Sequence, residues 1–202
     1  MGKLTLITGD HGSLDDLEPA WPAIAHVREL VLESSSVELG EVELPSLRSF
    51  ELVSRGLTRE NLHSLQAARW PQLERLTLSI TGAGVDGCDV ELSDLKWILD
   101  GETLSHVVHL GLVGGDAGAL AQLLLGSAIL SRLKSLDLSR GHLAGESIEF
   151  FRAHTQAFSH LTEMTLPFPG FSRAEERAAD VGRWSQLGLN ISFDERYIPV
   201  SE

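Results

Sequence analysis

Two apolar residues three apart, followed by a third two further on, recur along this chain and limit its fold more than any other feature. The pattern is clearest in "LSRLKSLDL" (130–138), carried by Leu133, Leu136 and Leu138. "LSHVVHLGL" (104–112) and "FSHLTEMTL" (158–166) align with it, each with a Ser just ahead of the first core position. In "PSLRSFEL" (45–52) and "PQLERLTL" (71–78) a Pro replaces that Ser, and "HVRELVL" (26–32) adds Val27, Leu30 and Leu32. The match weakens at the ends, with Met1, Leu4 and Leu6 at one and Trp184, Leu187 and Leu189 at the other. A helix would space its apolar residues by three and four, and a strand by two. The mixture predicts a short strand approached through a buried turn.

Counted from the first core position of each unit, the starts are 1, 27, 47, 73, 107, 133, 161 and 184. The intervals are therefore 26, 20, 26, 34, 26, 28 and 23 residues. Periods near 26 residues built on L-x-x-L-x-L are the signature of a leucine-rich-repeat solenoid. This predicts an α/β fold with a curved parallel sheet of about seven to eight strands on the concave side, and helices and irregular loops on the convex side. One domain, 1–202, is expected, with 1–26 as N-terminal repeat or cap and 185–202 as C-terminal strand and tail. Helical returns are predicted at 58–70 (Thr58 as N-cap), 93–101, 117–127, 146–158 and 172–184, the last with Ser172 and Glu175 in capping-box register. The Pro- and Gly-containing segment between the first two strands reads as mostly irregular.

From "LERLTLSITGAGVDGCDVELSDLKWILDG" to "VVHLGLVGGDAGALAQLLLGSAILSRLKSLDLSRGHL" the chain resembles a family of bacterial leucine-rich-repeat proteins with ribonuclease-inhibitor-like repeats, found alone or beside WGR domains. The resemblance covers roughly residues 45 to 170, and its motifs are structural. It implies a fold and a binding style, with no reaction and no fixed partner. The chain departs from the general repeat where Asn or Cys commonly follows the strand. Those positions hold Ser35, Arg55, Thr81, Gly115, Gly141 and Pro169. The backbone of those turns must therefore find other partners.

Of the 202 residues 43% are hydrophobic, and 29 acidic against 16 basic residues give a net charge of -13. Such a surface repels phosphate backbones and anionic lipid, so nucleic acid and membrane are not expected as partners. A basic protein is the natural complement. With a single cysteine, Cys88, no intramolecular disulfide can form, and no segment reads as a secretion signal or membrane span, so a cytoplasmic location is expected. The sequon Asn190-Ile191-Ser192 then reads as accidental.

Motifs that suggest chemistry have simpler explanations. "GAGVDG" (82–87) follows a strand, but its helix would start only near Ser93, and Asp86, Asp89 and Glu91 stand where a pyrophosphate would lie. It falls in the longest interval and reads as an insertion loop. "VGGDAG" (113–118) lacks the Gly-Lys-Ser/Thr of a phosphate loop and reads as a tight turn. His106 and His109 are three apart on a strand and so face opposite ways, while Asp10, His11, Asp15 and Asp16 lack the spacing of a calcium loop. Carboxylates beside Cys88 raise a thiol pKa, the reverse of what a nucleophile needs. The four tryptophans, one per segment, suit core and capping positions. No catalytic residue, metal or cofactor is expected, and the chain does not read as an enzyme.

The candidate site is the outward face of the sheet. Its partner-binding residues are Glu29, Glu33, Glu51, Arg75, His109, Asp137 and Glu163, with Asp116, Arg140 and Phe168 at the rim. The expected function is non-enzymatic protein binding, as an inhibitor or an immunity-type protein neutralising a basic toxin or effector. The alternative is a scaffold or adaptor subunit of a bacterial assembly. A monomer or weak dimer fits either.

Overall fold

The computed structural model describes residues 2–8, 12–55, 57–80, 90–144, 146–168 and 181–194. Eight strands form one parallel sheet: β1 (Lys3–Ile7), β3 (Glu29–Ser34), β5 (Ser49–Ser54), β6 (Arg75–Ser79), β7 (His109–Val113), β8 (Ser135–Asp137), β9 (Glu163–Pro167) and β10 (Ile191–Asp194). They lie side by side in chain order, with β1 and β10 at the two edges, so the sheet is open and each unit touches mainly its neighbours. This is a solenoid. The helical returns are α1 (Trp21–Ile24), α2 (Arg59–Ala67), α3 (Lys96–Asp100), α4 (Ala117–Leu124), α5 (Ser147–Ala153) and α6 (Thr155–Phe158).

The repeated leucines build the core in files. Leu30, Phe50, Leu76, Leu110, Leu136 and Met164 are stacked by the strand register, and all are at most 2% exposed. Leu32, Leu52, Leu78 and Leu112 form a second file, each fully buried. From the second unit on, the first core position sits in a tight turn. Val27, Leu47, Leu73, Val107, Leu133, Leu161 and Leu187 each donate their N–H to the carbonyl three residues earlier, at 2.9–3.2 Å. Those earlier residues are Ile24, Leu44, Trp70, Leu104, Leu130, Phe158 and Trp184, all apolar. The apolar file thus extends one step further back than the L-x-x-L-x-L pattern shows.

A second backbone device joins the units. The carbonyls of Gly2, Arg28, Arg48, Glu74 and Val108 each accept two consecutive N–H groups from the next unit, at 2.7–3.3 Å. Further along the strands, other contacts replace the missing asparagines. Buried Ser34 accepts from the Leu14 N–H at 3.1 Å, and Ser54 Oγ donates to the Ser35 carbonyl at 3.3 Å. Gly141 lies directly against Gly115, where any Cβ would overlap the Gly115 carbonyl. That carbonyl accepts from His142 N–H at 3.0 Å.

Three expectations need correction. The segment after β1 is not mostly irregular: β2 (Ser13–Asp16) pairs in parallel with β4 (Ser36–Glu38), and a 3-10 turn at Glu18–Ala20 leads into α1. The helical stretch 146–158 divides into α5 and α6 at His154. The last strand holds Ile191 and Phe193 at its core positions, opposite Met164 and Leu166, rather than Leu187 and Leu189. Leu187 is instead the turn position, 26 residues after Leu161. One extra residue is accommodated at Gly188, whose φ of +69° suits glycine.

Two of the expected helical returns, 58–70 and 117–127, hold α2 and α4. Thr58 caps α2 by accepting from Asn61 N–H at 3.2 Å, and all four tryptophans are buried. Residues 181–185 are helical, whereas Met1 and the capping box at Ser172 and Glu175 lie outside the described residues.

Candidate binding surface

Side chains alternate across a strand, so burying the leucine files turns the intervening positions to the other face of the sheet. Three rows result. The first runs Lys3, Glu29, Ser49, Arg75, His109, Ser135 and Glu163. The second runs Val31, Glu51, Thr77, Gly111, Asp137 and Thr165. The third holds Ile7, Glu33 and Val53 at the β1 end of the sheet, and Ser79 and Val113 further along.

The expected acidic cluster assembles on β3 and β5. Glu29 and Glu33 are exposed on β3, and Glu51 is half-buried on β5 opposite Val31, which lies between them. Glu51 is not free, however: Arg140 Nη2 approaches its Oε1 at 3.7 Å. Arg140 follows β8, so its side chain reaches past β6 and β7 to meet Glu51 on β5. It adopts a left-handed backbone with φ of +62°, uncommon for a residue with a Cβ.

His109 faces the same surface, and its Nδ1 lies 2.6 Å from Ser135 Oγ on the adjacent strand. Its pKa is lowered from the ordinary histidine value. Partial burial is the main cause, followed by the nearby Arg75 and Lys134 charges, and Glu74 and Glu163 oppose them. Asp137 accepts from Ser139 N–H at 2.9 Å, while Arg75 and Glu163 are exposed. His106 lies in the turn, beside Ser105 Oγ at 3.0 Å.

Two rim residues serve the fold. Asp116 caps α4 by accepting from Ala119 N–H at 2.9 Å, and Phe168 packs on Phe193 at 5.9 Å between ring centroids. The accessible face is also narrower than alternation alone predicts. Gly111, Val113, Ser79, Ser139 and Pro167 are all buried. The solvated part of the surface is therefore concentrated on β1, β3 and β5 and on the first row.

The His109–Ser135 contact is not apparent from local spacing, yet a signal for it exists. Residues one repeat apart meet across neighbouring units, as Arg48 and Glu74 do at 2.6 Å. The 26-residue interval between His109 and Ser135 is the same relationship.

Residues 81–89, with "GAGVDG" and Cys88, and residues 9–11, with Asp10 and His11, lie outside the described residues. Among the described residues no group of three or more His, Cys, Asp or Glu is placed to hold a metal ion, and no helix is long and apolar enough to cross a membrane.

No family model matches the chain, and no curated protein matches it. Among solved structures it is similar to a crystal structure of a protein from Bacteroides fragilis, determined as a structural-genomics target. The TM-score is 0.76 and the identity 22%, over 91% of this chain and 51% of the other. The chain thus spans about half the length of that protein, and the likeness is one of fold.

Proposed function

We propose that this chain is a non-enzymatic, protein-binding leucine-rich-repeat domain whose partner is basic and docks on the helix-free face of the sheet. The observation that carries the reading is the grouping of Glu29, Glu33 and Glu51 on two adjacent strands, which lie about 4.8 Å apart. Carboxylates held on a rigid sheet in a chain of net charge -13 attract a cationic surface and accelerate its encounter. An inhibitor or immunity-type protein that neutralises a basic toxin or effector in the cytoplasm fits this best.

The test is affinity purification of the tagged chain beside its Glu33→Lys/Glu51→Lys variant, followed by binding kinetics with any purified basic partner. Association with the variant should be about tenfold slower at low salt. Equal rates and an equal salt slope would exclude this face. A scaffold or adaptor role is the second reading, favoured by β1, an edge strand paired on one side with β3 and carrying Ile7 at 64% exposure.

A further inference from the structure

The shortest repeat leaves a mark on the opposite side of the molecule. Leu47 follows Val27 by only 20 residues, against 26 for the next unit. Its return, residues 39–48, contains no helix, whereas the returns on either side carry α1 and α2. It is held flat against its neighbour by Leu44 N–H to the Arg69 carbonyl at 3.1 Å and Arg69 N–H to the Val42 carbonyl at 2.9 Å. Between the flanking helices lies a groove of about 850 Å³, lined by residues from all three returns. That volume is in the ~300–1,000 Å³ range of ligand-binding clefts.

The groove has an apolar floor and an acidic rim. Pro22, Pro45 and Ala67, all exposed, form the floor, and the buried Trp21 and Val42 back it. The indole of Trp21 is fixed by its Nε1–H donating to the Leu39 carbonyl at 2.8 Å, so the floor is rigid. The exposed prolines and alanine have little rotamer freedom to lose on binding. Around them stand three carboxylates, Glu18, Glu41 and Glu43, against one guanidinium, Arg69. Glu18 is anchored by accepting from the Glu41 N–H at 3.1 Å. Glu43 and Arg69 meet at 3.4 Å with side chains 66% and 79% exposed, so their pairing is weak and easily exchanged for another cation.

We propose that this groove docks an extended cationic peptide segment in which apolar side chains alternate with Arg or Lys. An extended chain turns alternate side chains to opposite sides, so one set can lie on Pro22, Pro45 and Ala67. The basic set carries its charge on flexible methylene stems to the carboxylates at the rim. Those carboxylates come from two successive returns, which suits a ligand that crosses the units. The proposal does not depend on the sheet face being a binding surface.

The test uses the full chain and end-capped, fluorescein-labelled nonapeptides read by fluorescence anisotropy at low salt. The probes are an alternating Leu/Arg peptide, a Leu/Glu peptide and a Ser/Arg peptide. The Leu/Arg probe should bind saturably, and each of the other two about tenfold more weakly or not at all. Glu41→Lys/Glu43→Lys, which alters exposed side chains only, should weaken the Leu/Arg probe by about tenfold or more. Ala67→Trp, which occupies the groove without changing its charge, should do the same. Glu33→Lys/Glu51→Lys, on the sheet face, should leave the affinity within about twofold. Thermal melts establish that each variant is folded, and the Glu41/Glu43 pair decides the matter if Ala67→Trp is not. Equal affinity for the Ser/Arg probe, undiminished binding to the folded groove variants, or loss only in the sheet-face variant would each overturn the assignment. Absence of saturable Leu/Arg binding would overturn it too.

Discussion

Arg140 reaches Glu51 across two intervening strands, with Nη2 3.7 Å from Oε1, and does so from a left-handed backbone. Two opposing effects meet at this residue. Left-handed geometry costs a residue with a Cβ about 1–2 kcal/mol. A partly exposed ion pair returns about 0–1 kcal/mol. Arg140→Gly loses the pair but relieves the backbone, and should melt at or slightly above the parent temperature. Arg140→Ala loses the pair and keeps the strain, and should melt lower. Calorimetric melts that place Ala above Gly would contradict this assignment.

Leu136 is 1% exposed between Leu110 and Met164 in the central file. Leu136→Ala should destabilise by about 2–5 kcal/mol, as core truncations do. Leu136→Asp buries an unpaired carboxylate between stacked units and should abolish cooperative folding. A soluble Asp variant with parental melting would refute the register.

Asn61 is 3% exposed at the start of α2 and ties that helix to the preceding return. Its Oδ1 accepts from Leu39 N–H at 3.2 Å, and its Nδ2 donates to the Val37 carbonyl at 2.9 Å. Asn61→Ala removes the partner of the buried Leu39 N–H and one partner of the Val37 carbonyl, and should cost about 1–3 kcal/mol. Hydrogen exchange should show amide protection lost around residues 37–39 ahead of the rest of the sheet.

His109 has a folded-state pKa below that of the unfolded chain, so the unfolded state binds its proton more readily. Its contribution to stability is therefore full above about pH 6.5 and declines as pH falls through the lower folded value. His109→Gln should lower the melting temperature less than the parent when both move from pH 7.5 to 5.5. An NMR titration should place the His109 midpoint below the ordinary histidine value, and a raised midpoint would reverse the sign.

The files of leucines were legible because a two-layer solenoid needs the same apolar residue at the same place in every turn. What the sequence hid has specific causes. Ser13-Leu14-Asp15-Asp16 carries one apolar residue and two poor strand formers, so β2 arises from pairing with β4 rather than from propensity. The last strand was displaced because Leu187 and Leu189 imitate a core pair, while Gly188 absorbs the extra residue that puts Ile191 and Phe193 there. Of the candidate site, Glu29, Glu33 and Glu51 come together as alternation requires. Asp116 and Phe168 do not join them, because capping a helix and packing on Phe193 are contacts that no strand pattern encodes. The groove was present in the sequence only as an interval of 20 residues.

The chain-order stacking of the strands also determines how the molecule responds to force. Drawn from its two ends, a sheet of this kind is loaded one rung at a time, because each unit is held chiefly by the next. It should therefore peel at low tension in a staircase of extensions. A unit of 26 residues releases about 9 nm of contour, and the 34-residue unit beginning at Leu73 about 12 nm. In an optical trap the long step would act as a built-in ruler mark, reporting from which end the unravelling had come.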